Sequence, residues 1–395
     1  MTMTTDTFAM TTDMMSTMTP DSETVFISVS ANSPDSFMTS DTFPHENITI
    51  ASVIASTTEG PLQGFRFEDY TQRAIMATII CLVSVVGFVG NVMVLLAVNL
   101  SRKLQTRTNV FVVNLAVADL LTCFCAPFVA VALFSMSGWP MPEIVCSNIA
   151  AFGFIGLACS IMTLASISIN RYVLITKTIA TYRSIYTPKK IAAMVVFTWG
   201  YPALVVCCLP ILGVGKLGYS DKYKTCTQDT SHETSDLFSS LSSALIYPIP
   251  LIVLFVCYFK IYRHITGHMK KMMGKGKGVE MTDTSHFSTA ASTTQLHKNP
   301  PASFSKRQVE ITKNLFYVVC AFVACLAPFA IALMIPPSDP VIPWTGMIII
   351  FNSAVNPIIY GAKHPHFKEV FRHMLRCRYH MIPEPSGCLR KIRSR

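Results

Sequence analysis

A single acidic side chain interrupts a long apolar run of the sequence. Asp119 lies within residues Asn109–Phe134, where no other residue carries a formal charge. An ionised carboxylate in hydrocarbon costs about 3 kcal/mol on insertion scales, so it needs polar partners or a bound cation. We therefore expect Asp119 to have a function. The alternative is that neighbouring hydroxyls and amides satisfy it in a purely structural role.

Cysteine is the second residue type whose placement predicts chemistry. Most of the thirteen cysteines lie inside apolar runs, where they act as small apolar side chains. Cys146 stands at the start of one run, and Cys226 lies in a polar stretch before a later one. If both face an oxidising compartment, we expect a disulfide between them, with two free thiols as the alternative.

Seven apolar runs carry these residues. Of the 395 residues, 51% are hydrophobic and only 14% are charged, whereas about a quarter are charged in a soluble domain. About 20 apolar residues in a helix suffice to cross a bilayer core. The sequence predicts an all-α membrane protein, a seven-transmembrane helix bundle over residues 73–363, with spans at Ala74–Leu100, Asn109–Phe134, Ile144–Thr176, Ile191–Val214, Leu237–Tyr262, Leu315–Met334 and Val341–Ala362.

Lysine and arginine are concentrated in alternate connections between the spans. Arg102 and Lys103 follow span 1, Lys189 and Lys190 follow span 3, and many more bases follow spans 5 and 7. Cytoplasmic loops carry such an excess, so the N-terminus is predicted to be extracellular and the C-terminus cytoplasmic in a multi-pass plasma-membrane protein. The net charge of +10 therefore does not indicate nucleic-acid binding.

Composition also predicts the segments outside the bundle. Residues 1–72 are rich in Ser and Thr without a helical or strand period, so we expect a disordered extracellular tail. Asn47 starts a glycosylation triplet, a pattern that also arises by chance. Residues 265–305 are predicted to be a flexible inner loop, 364–377 a short amphipathic helix, and 378–395 a basic cytoplasmic tail. Cys377 is a candidate for palmitoylation, with an unmodified thiol as an equal alternative.

Motifs in the spans resemble those of rhodopsin-like (class A) G-protein-coupled receptors. The resemblance covers about Ala74–Cys377. It rests on Gly90-Asn91-Val92, Asn114-Leu115-Ala116-Val117-Ala118-Asp119, Asn170-Arg171-Tyr172, Trp199, Pro250, Tyr258, Phe322, Cys325, Pro328 and Asn356-Pro357-Ile358-Ile359-Tyr360. A looser similarity to melatonin receptors and to the invertebrate moody-like receptors rests on Asn170-Arg171-Tyr172 and on Leu104-Gln105-Thr106-Arg107-Thr108-Asn109.

The resemblance implies a cation site and a switch. In the family a sodium ion lies mid-bundle among hard oxygen ligands, and the matching residues here are Asp119, Ser160, Asn352 and Asn356, supported by Asn91. No other cofactor is expected. The residues that the resemblance assigns to G-protein coupling are Asn170, Arg171, Tyr172, Ile179, Tyr258 and Tyr360. For Arg171 the alternative is an interfacial base whose stem crosses the membrane edge.

Three positions depart from the family pattern. Asn170 replaces the usual Asp before Arg171, and Gln308 stands at the cytoplasmic base of span 6 where an acid is usual, although Glu310 is near. Arg171 thus lacks its habitual charged restraints, so we expect elevated ligand-independent signalling. Leu326 replaces the Trp beneath the ligand pocket, which leaves Phe322 to carry the repacking.

The ligand pocket is expected to be apolar, with hydroxyls and no ionisable residue in the outer half of the bundle. Gly153 stands where amine receptors carry an acid, and span 7 has no Lys before Lys363 to hold retinal. A neutral or amphipathic small molecule fits such walls. A peptide ligand and serines that merely bond to helix carbonyls remain alternatives. The expected lining is Gly153, Phe154, Gly156, Leu157, Ser239, Ser240, Ser242, Ser243, Tyr247, Leu326 and Trp344.

The expected function is that of a receptor and not of an enzyme. It binds an unknown extracellular ligand, activates a heterotrimeric G protein by an outward swing of span 6, and is acted on by receptor kinases and arrestin. An orphan or constitutively active receptor of the same fold is the alternative. A transporter or channel would need several polar residues along a path, and a single Asp in the spans does not provide one.

Overall fold

The computed structural model describes residues 65–276, 306–335 and 338–393. The candidate glycosylation site Asn47 and the Ser/Thr-rich part of the inner loop lie outside the described residues. The helices and strands are α1 (Tyr70–Leu100), α2 (Asn109–Phe134), α3 (Glu143–Thr176), α4 (Ile179–Ile185), α5 (Pro188–Ile211), β1 (Leu217–Ser220), β2 (Thr225–Gln228), α6 (Ser235–Ile246), α7 (Pro248–Gly276), α8 (Lys306–Met334), α9 (Ile342–Lys363), α10 (Pro365–Leu375) and α11 (Gly387–Arg393).

In the part of the chain that the structure describes, seven helical segments are long and apolar enough to cross a membrane. Spans 1 to 4 are α1, α2, α3 and α5, span 5 combines α6 with α7, and spans 6 and 7 are α8 and α9. The predicted seven-helix bundle is confirmed, and so is the amphipathic helix after span 7, which is α10. We call the end that carries Cys146 the outer end and the end that carries Arg171 the inner end.

Helix caps explain where the observed spans begin earlier than predicted. Span 4 begins at Pro188, because Thr187 accepts a hydrogen bond from the Lys190 amide at 3.4 Å and proline suits the first helical position. Span 1 begins at Tyr70, where the Asp69 carboxylate accepts from the amides of Thr71 and Gln72. The last residues of the predicted disordered tail are therefore ordered from 65 onward.

Span 5 is interrupted at Tyr247, directly before Pro248. Pro248, two residues before the motif residue Pro250, is the first residue there that has no amide hydrogen to donate. Tyr201 of span 4 donates its hydroxyl to the Leu245 carbonyl beside the break, at 2.9 Å. The helix then continues to Gly276, well beyond residue 265, where the flexible loop was predicted to start.

Polar side chains join the spans near the middle of the bundle. Asn114 donates to Thr163 of span 3 at 2.7 Å and to Thr198 of span 4 at 3.1 Å. The Trp199 indole donates back to the Asn114 side-chain carbonyl at 2.8 Å. Since hydrocarbon offers no competing partners, these bonds specify which faces of spans 2, 3 and 4 meet.

The segment after α10, predicted as a basic cytoplasmic tail, packs against the bundle. The Ser386 amide donates to the Leu100 carbonyl and the Arg102 amide donates to the Glu384 carbonyl, both at 2.9 Å. Ile382 and Leu389 are buried in the same core cluster as the inner ends of the spans. These backbone pairs and apolar contacts attach the chain through α11 to the inner end of span 1, although its composition is basic.

The disulfide between Cys146 and Cys226 is present as predicted. It joins the outer start of span 3 to β2, which pairs antiparallel with β1 in a hairpin. Both cysteines are buried in a small outer cluster beside Ile149 and Cys125. The bridge therefore fixes the hairpin across the outer end of the bundle.

Removing this bridge should destabilise the outer end. Cys226→Ser is expected to lower the free energy of unfolding by about 2–4 kcal/mol, because it releases a loop that the bridge closes. Thermal unfolding of the purified protein would measure the loss. Cys207→Ser, at an exposed free thiol of span 4, is the matched control. Equal unfolding temperatures for the two variants would show that the bridge does not stabilise the fold.

Candidate functional site

A cavity of about 890 Å³ opens at the outer end of the bundle. Gly153 and Leu157 of span 3 and Tyr247 of span 5 form part of its wall. The lining also includes Phe329 and Leu333 of span 6, which the sequence analysis did not single out. Of the residues predicted for the pocket, the structure places these along the cavity: Gly153, Phe154, Leu157, Ser239, Ser240, Ser242, Ser243 and Tyr247.

Three residues predicted for the pocket do not line this cavity. A Cβ atom at Gly156 would lie 3.0 Å from the Thr122 hydroxyl, so this glycine permits close packing of spans 2 and 3. Trp344 packs on the cluster around Phe67 beside span 1. Leu326 packs against the main core cluster. The prediction was wrong for these three because membership of a span does not determine which way a side chain points.

The serines of span 5 were predicted either to line the pocket or to bond to carbonyls within the helix, and both roles occur. Ser242 donates to the Ser239 carbonyl at 3.2 Å, the within-helix bond of the structural alternative. Ser239 reaches the side chain of Gln228 in β2 at 2.7 Å and so ties the hairpin to span 5. Ser240 and Ser243 line the cavity and supply hydroxyl groups to its wall.

The mouth of the cavity is charged, which corrects the expectation of an outer half without ionisable groups. Lys222 at the hairpin tip pairs with Asp339, before span 7, at 2.8 Å. The Tyr223 hydroxyl donates to the same carboxylate at 2.8 Å. All three residues line the cavity, and so does Asp236 in the first turn of α6. This bridge joins the hairpin to the connection between spans 6 and 7.

The surroundings of the Lys222–Asp339 bridge shift the pKa values of Asp339 and Tyr223. Burial alone would raise the pKa of Asp339, but hydrogen bonds from Lys222 and Tyr223 outweigh it and hold that pKa below its usual range. Burial raises the pKa of Tyr223, and its hydrogen bond to Asp339 raises it further. Near neutral pH the carboxylate is thus charged and the phenol protonated, the states that the hydrogen bond requires.

The segment that precedes span 1 also contacts the hairpin tip. The Phe67 amide donates to the Lys222 carbonyl at 2.9 Å, and the Phe67 ring is buried between the outer ends of the spans. Arg66 pairs with Asp221 at 2.9 Å, and Lys224 pairs with Glu68 at 3.3 Å. In the sequence, the signal for this contact is the apolar Phe67 among charged residues of a polar tail. That signal is too weak to predict the contact with the hairpin tip.

The Asp119 carboxylate is fully buried mid-bundle, as its position in the sequence suggested. Asn356 donates to one of its oxygens at 2.8 Å, and Ser160 donates to the other at 3.4 Å. Asn91 donates to the carbonyls of Gly87 and Ser353, at 2.9 and 2.8 Å, and thereby joins span 1 to span 7. Residues of spans 2, 3 and 7 thus meet at one carboxylate, and Asn91 links span 1 to the same part of span 7.

The oxygen atoms around Asp119 suit a hard monovalent cation. The side-chain oxygens of Asn91, Asn352 and Asn356 are buried and accept no hydrogen bond within the structure. Such unsatisfied oxygens beside a carboxylate are the ligands that sodium prefers over nitrogen or sulfur donors. Among the described residues no group of three His, Cys, Asp or Glu side chains could hold a metal ion.

Arg171 is buried at the inner end of span 3, with only 4% of its surface exposed. Its guanidinium interacts electrostatically with the phenols of Tyr258, Tyr182 and Tyr360. Tyr258 and Tyr360 are two of the residues that the family resemblance assigned to G-protein coupling. The burial argues against the alternative of a base whose stem merely reaches the membrane surface.

Asn170, the residue that precedes Arg171, forms hydrogen bonds with two neutral side chains. The Thr108 hydroxyl donates to the Asn170 side-chain carbonyl at 2.7 Å, and the Asn170 amide donates to the Tyr182 hydroxyl at 3.3 Å. Tyr182 belongs to α4, which the sequence analysis left unassigned. The side chain of Gln308, the other expected departure, lies outside the described part of span 6.

Two further residues predicted for coupling lie at the same end. Ile179 begins α4 and is 59% exposed, so its side chain is available to a partner. The Tyr172 ring lies under the Lys260 ammonium, 5.8 Å from it. Neither residue contacts the cavity at the outer end, so the structure separates the predicted ligand and coupling residues.

The sequence of the chain matches a known protein family. The model of the family described as 7 transmembrane receptor (rhodopsin family) matches residues 90–360. The chain belongs to this family. It is therefore a receptor of the class A type, and the expectation that it is not an enzyme is confirmed.

Relatives of the receptor include adrenergic receptors and a melanopsin. It is 32% identical to the alpha-1D adrenergic receptor of Mus musculus over 73% of this chain and 55% of that protein. It is 27% identical to melanopsin-B of Xenopus laevis over 78% and 56% of the two chains. The receptor thus spans little more than half of these relatives. Squid rhodopsin shares the fold, with a TM-score of 0.61 and 22% identity over 78% of this chain and 87% of that one.

The Lys222–Asp339 bridge should be measurable by a double-mutant cycle. Lys222→Gln and Asp339→Asn are each expected to lower the apparent unfolding temperature non-additively, with a coupling of about 0.2–1 kcal/mol for a half-exposed pair. Asp339 has a depressed pKa, so the coupling should be constant above about pH 5 and lost as the pH falls below about 4. Lys216→Gln, which removes a pair with Glu143, should add independently to Asp339→Asn. Full additivity at the bridge would show that the pair contributes nothing.

Proposed function

We propose that the receptor binds an extracellular ligand in the outer cavity and activates a heterotrimeric G protein at its inner end. The observation that carries the proposal is the buried Arg171, at the same end of the bundle as the buried Tyr258 and Tyr360 and opposite the cavity. Exposed Ile179 supplies an apolar side chain beside this site. Outward movement of span 6 would open the inner end around Arg171, and Pro328 within that span allows it to bend.

The ligand is a neutral or amphipathic small molecule. Gly153 lines the cavity where aminergic receptors carry an acid, and span 7 offers no lysine before Lys363 at its inner end. The ligands of the adrenergic relatives and the chromophore of an opsin therefore cannot use their usual anchor here. Serines 240 and 243 and the charged mouth supply the polar contacts, while Leu157 and Phe329 supply apolar ones.

The remaining assignments concern topology, ions and regulation. The outer end faces the exterior of the plasma membrane and the inner end faces the cytoplasm, because most bases of the loops lie on the Arg171 side. A sodium ion would bind at the Asp119 cluster, which consists of Asp119, Ser160, Asn352, Asn356 and Asn91.

Cys377 is exposed directly after α10, where a palmitoyl chain would reach the bilayer. Receptor kinases and arrestin act on the inner loop.

Nucleotide exchange on added G proteins tests the proposed function. The purified receptor is expected to accelerate exchange without ligand, because Asn170 is neutral and contacts Thr108 and Tyr182. Arg171→Ala should abolish this basal exchange. Asn170→Asp should lower it several-fold, because an adjacent carboxylate would restrain the guanidinium. Thr108→Val, which removes only the hydroxyl, is the control that leaves the residue before Arg171 neutral. Identical basal rates for the wild type and Arg171→Ala would contradict the proposal.

Phosphorylation should be confined to the inner loop. It contains Thr282, Thr284, Ser285, Ser288 and Thr289 among its hydroxyl residues, whereas the segment after span 7 has only Ser386 and Ser394. Ser386 is buried against the inner end of span 1. Deletion of residues 279–295 is therefore expected to abolish stimulated incorporation of phosphate, while Ser386→Ala leaves it unchanged. Persistent labelling of the deletion variant would reject the assignment.

A further inference from the structure

The two sides of the outer cavity differ in chemistry. Spans 1, 2 and 7 contact one another on one side, and span 5 contacts spans 3 and 4 on the other. The residues of spans 1 and 2 that line the cavity are apolar except Thr122, whose hydroxyl bonds to the Ala118 carbonyl of its own helix at 3.3 Å. Span 5 and the hairpin line the cavity mainly with hydroxyl and amide side chains. A ligand that fills the cavity therefore needs one apolar end and one polar end.

Six side chains form an apolar arm of the cavity between spans 1, 2 and 7. They are Met76, Ile80, Val129, Leu133, Met347 and Ile350. All of them belong to the cluster that packs around Phe67 at the outer end. None of the six can form an ion pair or a strong hydrogen bond, so the arm stabilises a ligand only by burying its apolar surface.

The shape of the apolar arm favours an unbranched chain. Met76 and Ile80 are each 2% exposed although they line the cavity, so little free space remains beside span 1. Along span 2 the lining extends from Leu133 to Thr122, which corresponds to about 16 Å of helix. A narrow space of this length admits a single alkyl chain more readily than a ring system. The flexible thioethers of Met76 and Met347 can adapt to such a chain.

A polar wall lies on the span 5 side of the cavity. It consists of Thr227 and Gln228 of β2 and Ser240 and Ser243 of span 5. Ser239 donates to the side-chain oxygen of Gln228 at 2.7 Å, which leaves the amide group of Gln228 to donate to a ligand. Each hydroxyl can both donate and accept a hydrogen bond. The polar wall therefore matches a head that itself carries several hydroxyl groups.

The charged side chains at the mouth disfavour an ionised head. Lys222 is the one base among the described residues that line the cavity, and it is already paired with Asp339 at 2.8 Å. An anionic head would have to compete with that carboxylate. Asp236 also lines the cavity but is exposed to water, where pairing with a cation contributes little. A neutral head loses less hydration on entry than either kind of ion.

We propose that the outer cavity binds a neutral lipid with one acyl chain and a hydroxylated head such as glycerol. The head bonds to the polar wall between the hairpin and span 5, and the chain lies in the apolar arm between spans 1, 2 and 7. This inference rests on the proposed function in that the cavity is taken as the ligand site. It deepens that function by assigning the ligand to one chemical class.

Monodecanoylglycerol with a diazirine at the end of its acyl chain is a suitable probe. The receptor is reconstituted in phosphatidylcholine nanodiscs, irradiated with the probe and digested, so that mass spectrometry locates the labelled residues. Labelling of the apolar arm is expected to saturate and to be removed by excess unlabelled monodecanoylglycerol. Labelling of membrane-facing residues such as Leu82, which is 64% exposed, should instead rise in proportion to the probe concentration.

Three further probes with the same chain and diazirine test the head. They are derivatives of the alcohol decanol, the anion decanoate and the cation decylammonium. None of them carries the adjacent hydroxyl groups of the glycerol head. Loss of the hydrogen bonds to the polar wall is expected to raise the half-saturating concentration about tenfold or more.

Two matched variants test the position of the chain. Gly346 lines the cavity on span 7, on the same helix face as Ile350, and an added Cβ atom there meets nothing within 4 Å. Gly346→Trp is therefore expected to fill the apolar arm and abolish saturable labelling. Gly200→Trp adds the same bulk to span 4, outside the cavity lining and equally without close contacts, and should keep the labelling of the wild type.

Two serine variants test the polar wall. Ser243→Ala removes one hydroxyl of the wall and is expected to raise the half-saturating concentration about threefold to tenfold. Ser166→Ala removes a hydroxyl that bonds to the Met162 carbonyl of its own helix at 2.9 Å, away from the cavity lining, and should leave that concentration unchanged. If Gly346→Trp does not fold, the labelled residues and Ser243→Ala still decide the question.

The outcomes separate this inference from the proposed function. The lipid assignment is overturned by absent saturable labelling in the wild type, by undiminished labelling of folded Gly346→Trp, or by equal saturation of the wild type and Ser243→Ala. Saturation by decanol, decanoate or decylammonium at the same or a lower concentration overturns it as well. G-protein nucleotide exchange is measured on the same nanodiscs. Exchange without saturable labelling refutes the lipid class alone. Saturable labelling without exchange on any G protein refutes the proposed function and leaves the lipid site standing.

Discussion

The burial of one carboxylate governs the architecture of the bundle. Hydrocarbon supplies no hydrogen bonds, so every polar atom near Asp119 must find its partner among other helices. Asn356 and Ser160 bond to the carboxylate itself, and Asn91 bonds to the backbone of span 7. These contacts fix the mutual rotation of spans 1, 2, 3 and 7 more strictly than apolar packing could. They also leave amide oxygens without donors, and that incomplete satisfaction is what makes the site suitable for a cation or for a switch between two arrangements.

Hydropathy and motif spacing were sufficient to predict the seven spans, the amphipathic helix and the Cys146–Cys226 bridge. Each depends on local composition or on a pair of residues in one compartment. The contacts of Phe67 with the hairpin tip and of Ser386 with the Leu100 carbonyl could not be predicted in this way. They are backbone pairings between segments far apart in sequence, and backbone groups are the same for every residue type. In the sequence, only an occasional apolar residue in a polar segment, such as Ile382, hints at these contacts.

The errors in the predicted pocket have a different physical origin. Gly156, Leu326 and Trp344 were assigned to the cavity from their positions along the spans, but depth does not fix the direction of a side chain. One residue of helix turns the direction by about 100°. Gly156 therefore faces Thr122 of span 2, whereas Leu157 faces the cavity. The charges at the mouth were missed for another reason, because they come from a hairpin and a connection whose course depends on the disulfide and the Lys222–Asp339 pair.

The two ends of the bundle are restrained by different kinds of interaction. At the outer end, ion pairs hold the hairpin tip to the start of span 1 and to the connection before span 7. At the inner end, Asn170 uses neutral hydrogen bonds to Thr108 and Tyr182, and Arg171 lies among phenols. Neutral bonds of this kind contribute about 1 kcal/mol each, which is comparable with the coupling expected for the partly exposed ion pair at the outer end. The Asp119 cluster lies between the two ends, so its hydrogen bonds link spans 2, 3 and 7 midway between the two sets of restraints.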